Sequence, residues 1–314
     1  FIDVTNLSDK RVAQIARQWG IDIAVDLGGY TQDSRVGVFS YRAAPVQLSY
    51  IGYLGSMGGD YYDYLIADKT LIPESNTVHY SEKIVYLPSY QVNDSKRYIS
   101  DRSFSRQDLL LPAHGFVFCC FNNNYKITPR TFDSWMRILI SVPDSVLMLY
   151  VPNVIAQKNL SDEAKRRSVD PGRIVFADRL PYEEHLARYQ SMDLFLDTLP
   201  YNAGATASDA LWVGLPVITQ CGESFPSRYA ASLLNAIGIP ELITYSSESY
   251  EELAIDLALN PDKLQRLKHK LAQNKLTTPL FDTKSFARHL EKAYQVMYAR
   301  YHEGLPPDHF NVLG

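Results

Sequence analysis

Short apolar runs alternate with amphipathic stretches along most of this chain. In the first hundred residues a helical pattern lies at 10–19, and runs typical of strands lie at 21–27, 44–50, 64–68 and 83–87. Beyond residue 115 the alternation becomes regular and predicts strands at 116–120, 145–150, 173–176, 194–197 and 216–219. Helices are predicted between these strands at 129–142, 160–168, 182–190 and 206–213. Strands that alternate with helices predict an α/β fold with a parallel sheet.

A polar, charged stretch at 94–106 separates the two strand series. It predicts a boundary between a first domain at 1–100 and a second domain at 101–314. Helices at 228–237, 250–259, 261–274 and 285–301 are predicted to close the chain, and the last is expected to pack back across both domains. Because the chain starts at Phe1 and runs directly into strand-like sequence, we interpret it as a piece of a longer protein with an incomplete first domain.

The small-residue segment 202–208 is the strongest candidate for a ligand site. An apolar run ending in Asp197 precedes it, and a helical pattern that contains Asp209 follows it. A strand that leads through such a loop into a helix presents free backbone N–H groups and a positive dipole end, which suit a phosphate. Asp209, about one turn into the helix, is placed to accept hydrogen bonds from a ribose. The alternative is an ordinary turn whose small residues serve only close packing.

Three further features point to the same chemistry. Lys126 follows the first strand of the second series after three asparagines, where it is placed to meet a diphosphate, although a solvated lysine after a capped turn is the alternative. His185, with Arg188 one turn later, is placed to stack on a nucleobase, although a lone helical histidine is more often structural. Four glycines within 51–59 predict a mobile or ligand-facing loop.

Composition excludes several classes of function. The chain has 31 Lys and Arg against 35 Asp and Glu and no basic block, so nothing indicates a nucleic-acid surface. Its three cysteines and scattered histidines lack metal-ligand spacing, so no metal and no cofactor is expected. No signal peptide and no membrane-spanning run is present, and few cysteines favour a reducing, cytoplasmic location.

These residues resemble the O-GlcNAc transferase family across nearly the whole chain. The resemblance is carried by ordered blocks that include APVQLSYIGYLGSMGG, CCFNNNYKITPRTFDSWMRILISVPDSVLMLY, YEEHLARYQSMDLFLDTLPYNAGATASDALWVGLPVIT and GESFPSRYAASLL. It implies a GT-B fold, with two Rossmann-like domains facing across a cleft. It also implies inverting transfer of N-acetylglucosamine from UDP-GlcNAc to Ser or Thr of acceptor proteins. Tetratricopeptide repeats that bind the acceptor are implied upstream of these residues.

The resemblance also assigns roles to individual residues. It implies that Lys126 is catalytic and binds the donor diphosphate, that His185 stacks on the base, and that Asp209 binds the ribose. Tyr182 stands where the family has a lysine, Asn123 where animal enzymes have glutamine, and Gly204-Ala205-Thr206 where the family has His-Thr-Thr. The nucleotide-sugar site implied in this way consists of Asn123, Leu180, Tyr182, His185, Arg188, Gly204, Ala205, Thr206 and Asp209.

Two questions stay open at the level of sequence. A plant-type branch of the family uses GDP-fucose, so a protein O-fucosyltransferase is an alternative. A catalytically weak protein-binding module is another, because positions 204 and 205 lack the family side chains. The family histidine proposed as catalytic base lies upstream of Phe1, and Asp22, Asp26 and Tyr30 are weak candidates within this chain.

Overall fold

A computed structural model describes residues 1–312. The chain forms two compact units, one from Phe1–Val92 together with the C-terminal segment from Thr283 onward, and one from Asn93–Asp282. None of the helices between residues 1 and 312 combines the length and the hydropathy that crossing a bilayer requires.

The first unit is built on a parallel sheet of five strands in the order β1-β2-β3-β4-β11. All residues of β2 and β3 are buried, which explains why β3 is apolar throughout, whereas the polar Gln47 of β2 is satisfied by hydrogen bonds to the Phe39 and Tyr61 carbonyl oxygens. The elements of this unit are α1 (Asp9–Gln18), β1 (Ile23–Asp26), α2 (Gly37–Ser40), β2 (Val46–Ser49), β3 (Tyr64–Ala67), β4 (Lys83–Tyr86), α10 (Thr283–His302) and β11 (Phe310–Asn311).

The second unit has a parallel sheet of six strands in the order β10-β9-β8-β5-β6-β7. The chain order reverses beside β5, and the crevice at such a switch point is where open α/β sheets bind ligands. Its elements are β5 (Val117–Cys120), α3 (Pro129–Ser141), β6 (Val146–Leu149), α4 (Val154–Arg166), β7 (Ile174–Phe176), α5 (Tyr182–Arg188), β8 (Leu194–Leu196), α6 (Ala205–Val213), β9 (Val217–Gln220), α7 (Tyr229–Ala236), β10 (Ile243–Thr244), α8 (Ser247–Leu259) and α9 (Pro261–Asn274).

Local chemistry explains where the helices beside the crevice begin and end. The Thr128 hydroxyl caps α3 by accepting a hydrogen bond from the Thr131 amide at 3.2 Å, and Pro129 occupies its first position. The helix α6 ends at Gly214, whose φ of 90° is left-handed. The sequence thus specifies where α3 begins and where α6 ends.

The last helix belongs to a different unit from the one that the predicted division at residue 100 gives it. That division assigned everything after 100 to the second domain, whereas α10 and β11 group with the first unit. Two contacts account for this grouping: the Phe286 ring stacks on Tyr50 with centroids 6.2 Å apart, and β11 extends the first sheet by pairing with β4. Both are long-range contacts, and an amphipathic pattern does not specify its partner.

We expect Gly115→Ala to destabilise the second unit. Gly115 has a φ of 104°, and a Cβ there would collide with the Asp144 carbonyl oxygen, so strain and displacement add to about 1–3 kcal/mol. Gly214→Ala is the matched control, since its φ is also positive but no atom lies within 4 Å of the added Cβ. Urea unfolding should give Gly115→Ala the larger loss, and equal losses would contradict the steric argument.

Candidate functional site

The helix α5 borders a cavity of about 650 Å³ at the carboxyl edge of the second sheet. Pro181 precedes the helix, and acidic Glu183 and Glu184 occupy its first turn, where they favour the positive end of the helix dipole. Three predicted site residues of this helix, Tyr182, His185 and Arg188, reach the cavity together with predicted Leu180. The cavity lining comprises Phe121, Tyr150, Arg179, Leu180, Pro181, Tyr182, His185 and Arg188.

His185 is held as a neutral imidazole. Its Nδ1 lies 2.5 Å from Nη2 of Arg188, and since a guanidinium only donates, Nδ1 accepts and Nε2 carries the proton. Burial, together with the positive charge of Arg188, lowers the pKa of His185 to about 4. The ring also packs against Phe121 and Tyr189, with centroid separations of 5.2 and 4.9 Å. A neutral, fixed aromatic ring beside an open cavity is suited to stacking.

Arg188 orients His185 through the contact between Nη2 and Nδ1. Its side chain is buried, with Nη1 donating to the Asp178 carbonyl oxygen at 2.7 Å and the guanidinium 4.6 Å from the centroid of the Phe121 ring. Its Nε has no hydrogen-bond partner among residues 1–312. A buried donor without a hydrogen-bond partner is rare in folded proteins. One that lies beside a cavity is therefore a candidate contact for a ligand.

Asp209 lies on α6, facing α5. Its Oδ1 accepts hydrogen bonds from the Tyr182 hydroxyl at 2.8 Å and from Nη1 of Arg97 at 2.6 Å. Residues 1–312 provide no donor to its Oδ2. Burial raises the pKa of Asp209, while Tyr182 and Arg97 oppose that shift. The carboxylate therefore has one committed oxygen and one that can accept from a ligand hydroxyl.

Lys126 lies where the loop after β5 meets the loop after β8. Its Nζ donates to the Asn202 carbonyl oxygen at 3.0 Å and lies 3.9 Å from the centroid of the Tyr201 ring. Burial lowers the pKa of Lys126, which nearby Asp197 partly offsets. An ammonium has three donors, so Lys126 has capacity left for an anion.

The start of α6 is packed too tightly for a side chain at position 204. Gly204 precedes the helix, and a Cβ there would collide with the ring of Tyr229. Thr206 donates through its hydroxyl to Oδ1 of Asn122 and so ties the helix to the loop after β5. The backbone N–H groups of the first turn remain available for a ligand, as in any helix without a side-chain cap.

The predicted site residues form two adjoining groups, and Tyr189 connects them. Its hydroxyl donates to the Thr206 carbonyl oxygen at 3.2 Å, while its ring contacts His185. Leu180, Tyr182, His185 and Arg188 line the cavity, and Asp209 adjoins them through its bond from Tyr182. Lys126, Gly204 and Thr206 form the second group, at the loop. Asn123 and Ala205 are exposed, and the Asn123 carbonyl accepts from the Lys126 amide.

The three weak candidates for a base lie in the first unit, where two of them form hydrogen bonds within the protein and the third precedes a strand. Asp26 is buried and accepts from the amides of Gly28 and Gly29 at 2.9 Å and from the Tyr62 hydroxyl at 2.5 Å. Tyr30 donates to the Met57 carbonyl oxygen at 2.9 Å. Asp22 precedes β1, at the opposite end from the loops that follow the strands.

The glycine loop of the first unit is tied down by a buried acid. Glu82 accepts from the Ser56 hydroxyl at 2.7 Å and from the Met57 amide at 2.5 Å. Gly52 approaches Leu27 so closely that a Cβ would collide with its carbonyl oxygen. This close approach explains why position 52 carries no side chain.

Three residues beside the site were not predicted from the sequence. Arg97 lies in the segment interpreted as a linker, Asn122 is the buried member of the asparagine run rather than the predicted Asn123, and Tyr229 covers Gly204. Their contacts are 112, 84 and 25 positions away in sequence, so no local pattern marks them.

The residues of both units match the sequence pattern of a known family over 1–103 and 98–290. The chain belongs to glycosyl transferase family 41.

Named relatives of this family-41 chain are longer than it is. It is 39% identical, over all of its length and 33% of the relative, to a probable UDP-N-acetylglucosamine–peptide N-acetylglucosaminyltransferase SEC of Arabidopsis thaliana. It is 26% identical, over 98% of its length and 37% of the relative, to the UDP-N-acetylglucosamine–peptide N-acetylglucosaminyltransferase of Caenorhabditis elegans. The chain thus spans about a third of the length of the curated relatives it matches.

Solved structures confirm the predicted fold class of the family-41 chain. A mutant O-GlcNAc transferase of Thermobaculum terrenum superposes with a TM-score of 0.85 at 29% identity, over 96% of this chain and 57% of that one. A sucrose-phosphate synthase of Thermosynechococcus elongatus has a TM-score of 0.63 at 14% identity, over 95% and 81%, which concerns the fold alone. The fold is that of GT-B glycosyltransferases.

We expect His185→Gln to flatten the acid dependence of stability. The folded pKa of about 4 lies below the unfolded 6.5, so the unfolded state takes up the proton first. This contribution is lost as pH falls from 6.5 towards 4, by an amount on the order of 2–3 kcal/mol. Buried Asp197, with its pKa raised to about 6, contributes the opposite slope, so the variant is compared with wild type. Urea unfolding at pH 7 and 4.5 gives the difference, and identical slopes would contradict a buried, neutral His185.

Proposed function

We propose that this chain is the catalytic region of a protein O-GlcNAc transferase, which moves N-acetylglucosamine from UDP-GlcNAc to Ser or Thr of acceptor proteins with inversion. The observation that carries the proposal is one edge of the second sheet that offers, side by side, a stacking ring, a carboxylate oxygen and a helix N-terminus with a lysine. A nucleoside diphosphate has the matching sequence of parts: base, ribose and diphosphate.

The base is assigned to the cavity beside α5. The His185 ring is neutral and fixed by Arg188, so a stacked base meets no charge that would have to be desolvated. The ribose is assigned to Oδ2 of Asp209, since Oδ1 is already committed. Charge-assisted hydrogen bonds from hydroxyls to a carboxylate are stronger than neutral ones.

The diphosphate is assigned to the first turn of α6 and to Lys126. Charge that develops on the leaving diphosphate would be stabilised by the helix amides and by the Lys126 ammonium, which contacts a carbonyl oxygen and an aromatic ring. This assignment gives the leaving group its counter-charge from the protein, so the proposed reaction uses no metal and no cofactor.

The names of the relatives support the donor and the acceptor. Relatives in both plants and an animal are described as UDP-N-acetylglucosamine–peptide N-acetylglucosaminyltransferases. Acceptor proteins are therefore the proposed partners, and binding of them through tetratricopeptide repeats stays a prediction. The cysteines, all free among the described residues, support a reducing, cytoplasmic location as part of the same proposal.

Calorimetry with UDP and GDP tests the nucleotide assignment. We expect UDP to bind more tightly than GDP, and His185→Ala to weaken UDP binding by about 1–3 kcal/mol, the scale for losing a stacked base. Asp22→Ala, a change of the same kind in the first unit, is the control and should leave UDP affinity unchanged. Tighter binding of GDP, with hydrolysis of GDP-fucose but not of UDP-GlcNAc, would favour the fucosyltransferase instead.

We expect Lys126→Met to lower turnover by roughly 10²- to 10³-fold, since it removes the cation assigned to the diphosphate and keeps the apolar stem. The readout is release of UDP from UDP-GlcNAc with an acceptor protein present. Lys158→Met is the matched control, since Lys158 is an exposed lysine on α4 paired with Asp162 at 2.6 Å. Turnover of the wild type is expected to persist in EDTA. Near-normal rates for Lys126→Met would refute its role, and hydrolysis absent from wild type would favour the binding module.

A further inference from the structure

Arg97 is the most extensively bonded side chain of the segment between the two strand series. Its Nη1 pairs with Oδ1 of Asp209 at 2.6 Å, and its Nη2 donates to Oγ of Ser208 at 2.8 Å and to Oδ1 of Asn93 at 3.1 Å. Its Nε donates to the Asp94 carbonyl oxygen at 3.0 Å. The guanidinium also lies between the Trp212 and Phe281 rings, 5.7 and 5.5 Å from their centroids. All three nitrogens are thus fixed.

The ion pair between Arg97 and Asp209 is removed from solvent. The two side chains are only 8% and 10% exposed, unlike the other ion pairs of the second unit, in which at least one partner is more open. An unpaired carboxylate at this depth would be costly, so Arg97 is what permits a charged acceptor here. Ser208 and Asp209 are consecutive on α6, so one guanidinium holds two adjacent side chains.

The same geometry determines which carboxylate oxygen stays available. Arg97 and Tyr182 both donate to Oδ1, from different elements, and together they fix the rotation of the carboxylate. Oδ2 is left without a donor from residues 1–312. A guanidinium provides this orientation better than an ammonium because its planar fork bonds Oδ1 of Asp209 and Oγ of Ser208 at once.

We propose that Arg97 is a positioning residue of the nucleotide site, which holds Asp209 with Oδ2 turned towards the ribose hydroxyls of the ligand. The inference rests on the proposed nucleotide-sugar function and adds to it a residue outside the helix-and-loop motif. Arg97 acts through Asp209 and does not itself touch the ligand. Tyr182 is the second anchor, on the side of the cavity.

The test compares binding of UDP with that of 2′,3′-dideoxyuridine diphosphate by calorimetry on the full chain. Wild type is expected to prefer UDP by about 10- to 100-fold, the scale of a hydrogen bond to a charged group. Arg97→Met should reduce that preference to within about threefold, chiefly by weakening UDP binding. Arg102→Met is the matched control, since Arg102 lies on the same segment and pairs with Glu184 but is half exposed; it should keep the wild-type preference.

A second comparison remains decisive if Arg97→Met does not fold. The double variant Arg97→Met/Asp209→Asn removes both buried charges, and it should bind UDP within about twofold of Asp209→Asn alone, because Arg97 then has nothing to position. A further loss of UDP affinity in the double variant would show direct action on the ligand and overturn the inference.

The outcomes separate this inference from the proposed function. If wild type binds no UDP, the proposed function fails first. If wild type binds UDP with a ribose preference that Arg97→Met retains, only the role of Arg97 is overturned. If wild type binds UDP and its dideoxy analogue equally, Asp209 is not the ribose acceptor, and the inference falls while the base and diphosphate assignments stand.

Discussion

The buried carboxylate at the end of β8 is the interaction on which the rest of the site depends. Oδ1 of Asp197 accepts from the amides of Thr198 and Ala203 at 2.7 Å, and Oδ2 accepts from the Thr219 hydroxyl at 2.7 Å. One acid thus closes the loop from strand to helix and attaches it to the neighbouring strand β9. The loop closed in this way presents the Asn202 carbonyl oxygen that accepts from Lys126, and it leads into α6.

Burial of charge is costly, and the anion and the cation of the site are stabilised by different kinds of contact. Asp209 is matched by a full ion pair, whereas Lys126 meets a backbone carbonyl and an aromatic face, with Asp197 near enough to act on its charge. Among residues 1–312, Arg188 beside the cavity and Lys126 in the loop thus form no ion pair, whereas Asp209 is paired with Arg97. Unpaired cations suit a phosphate, which agrees with the nucleotide-sugar site proposed above.

Much of the fold follows from local patterns in the sequence. The strands β5, β6, β8 and β9 lie within one residue of the predicted runs at each end, because parallel strands buried on both faces are predominantly apolar. The helix α4 begins at Val154, six residues before the prediction, since Val154 and Ile155 are exposed and break the amphipathic pattern. Asn153, which caps it by accepting from two amides, was the local signal available.

The sequence indicates the candidate site where one segment carries the chemistry, and not where distant segments meet. The motif around α5 and α6 predicts a ligand edge from the spacing of small, acidic and aromatic residues. Arg97 was not predictable, because an arginine in a polar stretch has no local property that distinguishes a buried ion pair from a solvated charge. The same holds for α10 and β11, whose partners are set by contacts more than two hundred positions away.

The small residues at the start of α6 bear on whether the site retains catalytic capacity. Gly204 replaces a side chain of the resembling family, yet the space beside it is filled by the Tyr229 ring rather than left open. The donors that a helix N-terminus offers a diphosphate are backbone amides, and these do not depend on the side chains at 204 and 205. Lys126 and Asp209 are retained and both are held by contacts within the second unit. The small residues at 204 and 205 therefore leave in place the helix amides, Lys126 and Asp209, to which the proposed function assigns the diphosphate and the ribose.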